Sequence, residues 1–211
     1  RKGPSIAIQE IRQLAYPAQL LSDFDHGFKV NTREFILQWP RIRAYLNGLL
    51  DRNFSPAEKA SISALNTATG TEALSFQAVL AVLELFKKYC PRKQLARVGR
   101  FFSTFLREPD SAHVVNKLCE MQFRQPLVVL YGQNTTQFSV FCNGVEILCE
   151  DSFIEAVTVA LACHFIFHLR FDAEVADLWG LFSTLIGAPF TLKSNTALNL
   201  ADSIKRHLSS D

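Results

Sequence analysis

Apolar residues recur every three or four positions through the first half of this chain and then switch to alternation, and the change of period divides it. Phe35, Ile36, Trp39, Ile42, Tyr45, Leu46 and Leu49 keep one face of residues 33 to 51 apolar, which predicts a helix capped by Asn31 or Thr32. Pro40 has no amide hydrogen to donate, so it either kinks that helix or starts a second one. Ser55-Pro56-Ala57-Glu58 combines a capping serine, a first-turn proline and a glutamate at the third position, and opens a helix that ends by Asn66. Residues 66 to 74 read as a loop. Ser75 opens the next helix, with Val79, Leu80, Val82, Leu83, Leu85 and Phe86 on a broad buried face, and Cys90-Pro91 closes it. A further helix is expected from about Gln94 to Glu108, and one more after Asp110 or Ser111. Residues 1–30 read as an N-terminal arm or short helix, because Pro17 interrupts the spacing of Ile8, Ile11, Leu14 and Ala15.

From Pro126 the period is two. Pro126 to Tyr131 is a β-rich apolar run, and Phe138, Val140 and Cys142 alternate with Ser139, Phe141 and Asn143. Asn143-Gly144 is a strong hairpin signal, since both residues tolerate positive φ, and Val145 to Cys149 returns. Ser152 and Glu155 then form a capping signature before the apolar stretch 152–169. Ala173 to Ile186 and a final segment from Asn195 or Thr196 complete the helices. The expected fold is α+β and mostly helical, about seven helices packed on a small three-stranded antiparallel meander. A single domain would span 31–211 (helical 31–124, sheet 126–149, helical 152–208), with the 152–169 helix at its centre.

Composition narrows the class. At 211 residues, 48% hydrophobic and 20% charged, the chain is long enough and apolar enough for a globular core. Eighteen phenylalanines against one methionine make rigid rings the main packing volume. The longest apolar run, Ala156 to Leu169, is too short to cross a bilayer, which needs about 20 residues, so no membrane partner is expected. Five cysteines without a dense framework predict free thiols in a reducing, intracellular compartment, cytoplasmic or nuclear. Arg1-Lys2-Gly3-Pro4 leads into no apolar signal core and reads as a boundary inside a longer protein.

Candidate chemistry is sparse. His164 and His168 lie four apart, which on one helix places them on one face, and Cys149 and Cys163 are near in sequence. Yet the position after His164 is Phe165, not the glutamate of a metalloprotease helix, and no Cys-x-x-Cys pair occurs. Two acids, Glu150 and Asp151, follow Cys149 and would raise its pKa, the wrong direction for a nucleophile. The expectation is that these thiols and imidazoles fill the core. No catalytic residue, metal or cofactor is assigned.

The charge anomaly is basic. Lys87, Lys88, Arg92, Lys93, Arg97 and Arg100 fall in fourteen residues without an acid, and Arg107 extends the stripe. Such a line can hold phosphates, which makes nucleic-acid binding the alternative function; the competing reading is a solvated helix with lysines at its C-terminal dipole. The net charge of +2 supplies no strong polyanion footprint. Phe101, Phe102, Phe105, Trp179 and Phe182 offer more aromatic surface than one helix face easily hides, and are candidates for a protein interface; the competing reading is that they fill the core. The first function expected is therefore a non-enzymatic protein-interaction or self-association module within a longer chain, with a protein partner or a second copy, and a homo-oligomeric state.

Two segments, REFILQWPRIRAYL at 33–46 and FSVFCNGVEILCEDSFIEAVTVALACHFIFHLRF at 138–171, resemble the multicopy fish proteins of the sterile alpha motif domain-containing protein 3-like family. The resemblance covers about residues 33–186 and lies outside any sterile alpha motif domain. It implies a eukaryotic, intracellular, non-enzymatic region and carries no catalytic residues to this chain. His168 stands where that family has asparagine.

Overall fold

A computed structural model describes residues 16–66, 70–89, 102–105, 125–131, 137–149 and 152–210; for 102–105 and 131 the description is of the backbone alone. Among the described residues, seven helices and four strands occur. Helices α1 (Pro17–Phe28), α2 (Thr32–Asn53), α3 (Pro56–Ala64) and α4 (Gly70–Tyr89) come first. Strands β1 (Phe102–Phe105), β2 (Leu127–Tyr131), β3 (Gln137–Cys142) and β4 (Val145–Leu148) follow, and α5 (Phe153–Ile166), α6 (Ala176–Ile186) and α7 (Asn195–Leu208) complete the α+β fold.

Strands β2, β3 and β4 form the expected antiparallel meander, in registers that set Val128 opposite Val140 and Val140 opposite Ile147. Asn143 and Gly144 both take positive φ, 52° and 80°, so the β3–β4 turn is the one their sequence favours. Val128, Leu130, Phe138, Val140 and Ile147 share the face that joins the helical core. Leu127, Val129, Ser139 and Phe141 point the other way and are buried too, which explains why β2 reads as a continuous apolar run rather than an alternation.

Helix α5 sits against the sheet and against α1, α2, α4 and α6. It is apolar on every side, and eleven of its residues, Phe153 to His164 apart from Glu155, are buried. Ser152 caps it by accepting from the amide of Glu155 at 3.3 Å. A second orphan amide, that of Phe153, donates to the Glu72 carboxylate of α4 at 2.9 Å. A carboxylate is well placed there, because the helix N-terminus carries partial positive charge. Phe153 then meets Phe76 of α4 (5.3 Å between ring centroids) and Phe138 of β3 (5.7 Å), both edge-on, and so joins three elements. Buried hydroxyls near this core are satisfied within their own helices: Thr158 donates to the Ile154 carbonyl and Ser183 to that of Trp179, each at 2.7 Å.

Several expectations are corrected. Pro17 does not interrupt a helix but begins α1 at its first position, where the missing amide costs nothing. Of the two alternatives, arm or short helix, α1 is the short helix, with Leu20 and Phe24 fully buried and Phe24 and Phe28 packed on Phe165 at 5.3 and 5.2 Å. Of the two readings of Pro40 the second helix start does not hold, since Pro40 lies inside one continuous α2. The loop expected through residue 74 is already helical from Gly70, with Glu72 in the first turn. The helix expected from Gln94 to Glu108 gives way at 102–105 to strand β1, which pairs in parallel with β2, Phe102 opposite Val128. Phe-Ser-Thr-Phe has the residue types of a strand, and short apolar runs fit either period. The rest of that segment, and the helix expected after Asp110, lie outside the described residues. The 152–169 helix ends at Ile166, and His168 takes a left-handed φ of 51° while the Leu169 amide returns to the His164 carbonyl at 2.8 Å.

Gly180 of α6 permits a close approach. A Cβ there would stand 2.5 Å from the Phe190 ring and 2.6 Å from Leu192, so the segment that follows α6 packs directly on the helix backbone. Gly180→Ala is expected to cost about 1–3 kcal/mol by overpacking. In urea denaturation this appears as a lower midpoint at unchanged slope; an unchanged midpoint would mean that Phe190 and Leu192 yield without strain.

Candidate functional site

The end of β3, the residue after β4 and the last turn of α5 bring three free cysteines into the core: Cys142, Cys149 and Cys163 are all buried. Cys149 donates to the Ile147 carbonyl at 3.6 Å, and burial, with Glu155 nearby, drives its pKa above the ordinary thiol value. The Cys163 thiol is also pushed well up, first by its hydrogen bond with Cys142 and then by burial. A thiol held protonated and away from solvent is a packing group, not a nucleophile.

His164 is buried among aromatic rings. Phe171 meets it edge-on at 4.6 Å and Trp179 lies at 5.1 Å. Its Nδ1 is 3.4 Å from the Leu169 carbonyl, which can only accept, so Nδ1 carries the proton and Nε2 is left as a bare acceptor without a partner. Burial lowers its pKa from 6.5 to about 3, the Leu169 carbonyl opposing only in part. His168 was expected on the same helical face. The helix ends before it, and the left-handed turn leaves His168 exposed. Among the described residues no three histidine, cysteine, aspartate or glutamate side chains converge as a metal site.

The interface candidates are not brought together. Trp179 and Phe182 are at most 1% exposed; Phe182 packs with Phe35 and Trp39 of α2 at 6.3 and 6.2 Å, so both are core residues and present no surface. This corrects their reading as interface anchors: their helix is covered by its neighbours, and ring volume there joins α6 to α2. Phe102 and Phe105 lie on strand β1, and Phe101 is outside the described residues. Of the basic stripe, Lys87 pairs with Glu84, one helical turn away. Lys88 donates to the Asn53 carbonyl at 2.8 Å and to Glu58 at 3.2 Å, and lies over the Phe54 ring at 5.2 Å. It therefore ties the α2–α3 corner to α4 at the surface, still exposed to solvent. Arg92, Lys93, Arg97, Arg100 and Arg107 are outside the described residues.

Open apolar surface lies elsewhere, along α1 and α2. Asp25 fixes their corner by accepting from the Thr32 amide at 2.9 Å and the Thr32 hydroxyl at 3.0 Å. A groove of about 890 Å³ runs beside it, floored by Leu21, Ile36 and Leu37 and edged by Asp25, Arg33 and Glu155. Leu37 is 71% exposed, whereas most large apolar side chains among the described residues are buried. The sequence did carry a signal for it. Leu37 stands off the face defined by Phe35, Trp39 and Ile42, so a leucine occupies the outward side of the helix.

Comparison with protein-family models, curated proteins and solved structures finds no match for this chain. Among the described residues no helix is long and apolar enough to cross a membrane.

The buried imidazole has a pH consequence. The folded-state pKa of His164 lies below the unfolded one, so its full stability is present above pH 6.5. Below that the unfolded chain takes up a proton that the folded chain refuses, and stability falls by up to about 1.4 kcal/mol per pH unit, levelling off near pH 3. Denaturation series on wild type and His164→Phe should show a shallower acid loss in the variant; parallel curves would mean that His164 is protonated in the folded state.

Proposed function

We propose that this chain is a non-enzymatic interaction module within a longer protein and that it self-associates through the α1–α2 groove. The supporting observation is the outward Leu37 beside Leu21 and Ile36, an apolar strip with charges of both signs along its edge. A two-fold contact places a surface against its own copy, so it needs each acid to face a base. Asp25 and Arg33 both line the groove, so charges of both signs stand beside the apolar strip. Sealed thiols and a neutral, buried imidazole leave the described core to packing. The family resemblance is part of this reading, and so is an intracellular setting, where Cys142, Cys149 and Cys163 stay reduced. The alternative, nucleic-acid binding through the 87–107 stripe, rests on Arg92, Lys93, Arg97, Arg100 and Arg107, outside the described residues; Lys87 and Lys88 are engaged by Glu84 and Glu58.

Light scattering coupled to size exclusion tests the proposal. The wild type is expected as a dimer at micromolar concentration, and Leu37→Glu as a monomer with an unchanged circular dichroism spectrum and at least about tenfold weaker association, since a charge in the centre of an apolar contact is left unpaired. A wild type that stays monomeric at high concentration contradicts self-association.

A further inference from the structure

At the opposite end of α5 from that groove, two irregular segments lie side by side. One is the turn after α5, residues 167 to 175; the other is the segment after α6, which carries Phe190 and Lys193 and is held down on Gly180. Phe171 of the first touches Phe190 of the second, ring centroids 5.0 Å apart. They wall a cleft of about 380 Å³ whose other apolar sides are Phe165 and Leu169. That volume is within the range of small-molecule sites, and mostly apolar walls with a few polar groups are their usual make-up.

The charged groups here are of one sign. Arg170 and Lys193 both line the cleft, both are exposed, and neither has a hydrogen bond or ion pair to a described residue. The acids that follow in the first segment, Asp172 and Glu174, are not among the lining residues. Two uncharged polar residues line it as well, Thr191 and His164, and the Nε2 of His164 is the unpartnered acceptor described above. Nε2 is closed to solvent, and Phe171 packs on the imidazole in a T-shaped contact.

We propose that this cleft binds a small aryl carboxylate bearing a ring hydroxyl or N–H. Its ring lies on Phe165, Phe171 and Phe190. Its carboxylate is held by Arg170 and Lys193, and its donor reaches His164 Nε2 as Phe171 tilts aside. Each part of the ligand answers one feature of the cleft: aromatic wall, paired cations without an acid, and an acceptor without a donor. The site is separate from the α1–α2 groove, and Leu37→Glu is expected to leave it unchanged.

The probe is 1-anilinonaphthalene-8-sulfonate, an aromatic anion with an N–H, followed by its fluorescence on the native protein. Saturable binding is expected, weakened at least about tenfold in Arg170→Glu/Lys193→Glu, whose exposed positions leave the fold intact. In competition, 4-hydroxyphenylacetate should displace the probe and its neutral amide, 4-hydroxyphenylacetamide, should not. Phenylacetate should need about tenfold more, for want of the donor to His164. Equal probe binding by the double variant, or no saturable binding to wild type, overturns the site; equal potency of the hydroxylated and plain acids overturns the part assigned to His164.

Discussion

Helix α5 has no side that water can cover at low cost, and the arrangement of its neighbours follows from that. A helix with one apolar stripe can lie on a surface; one whose residues from Phe153 to His164 are buried except Glu155 must be enclosed. The sheet takes one side through Phe138 and its neighbours, α4 another through Phe76, and α1 a third through Phe24 and Phe28 on Phe165. Ordering α1 on the core is thus a consequence of covering α5. The polar cost of enclosing a helix end is met by Ser152 and by Glu72, a carboxylate lent from α4.

The same enclosure decides the chemistry of the sulfur and imidazole groups. Low polarizability around a titratable group penalises its charged form, so thiols go up and imidazole goes down. Cys149 moves in the first direction and His164 in the second; Cys163 also moves up, led by its hydrogen bond with Cys142 with burial adding to it. What escapes the enclosure does so at the two ends of α5. Near Glu155 the α1–α2 groove stays open, and near His164 the chain leaves the helix by a left-handed histidine and builds an aromatic cleft.

Much of this was legible in the residues. The Ser55 and Glu58 signature gives a complete capping box, Asn143-Gly144 makes the hairpin turn, and the thiols among Phe, Val and Ala are where their neighbours put them. The failures have physical reasons. Proline at 17 was read as a break although the first position of a helix tolerates it. Phe102 to Phe105 fits a helical or a strand period equally, and only pairing with β2, remote in sequence, resolves it. His168 was assigned to the helix because histidine in a left-handed turn leaves no mark in a sequence. Trp179 and Phe182 read as surplus aromatics because the sequence does not tell how many faces of α6 are covered. Arg170 and Lys193 were single charges in loops, and only the fold brings them to one cleft.

The central claim, that the sheet–α5 interface is sealed, is tested most directly by the rate at which its thiols react with an alkylating reagent in the native protein, mapped by peptide mass. Cys142, Cys149 and Cys163 should be modified together, at a rate set by global unfolding and accelerated in step with denaturant. Modification of any of the three at the rate of an exposed thiol, without denaturant, would contradict the account.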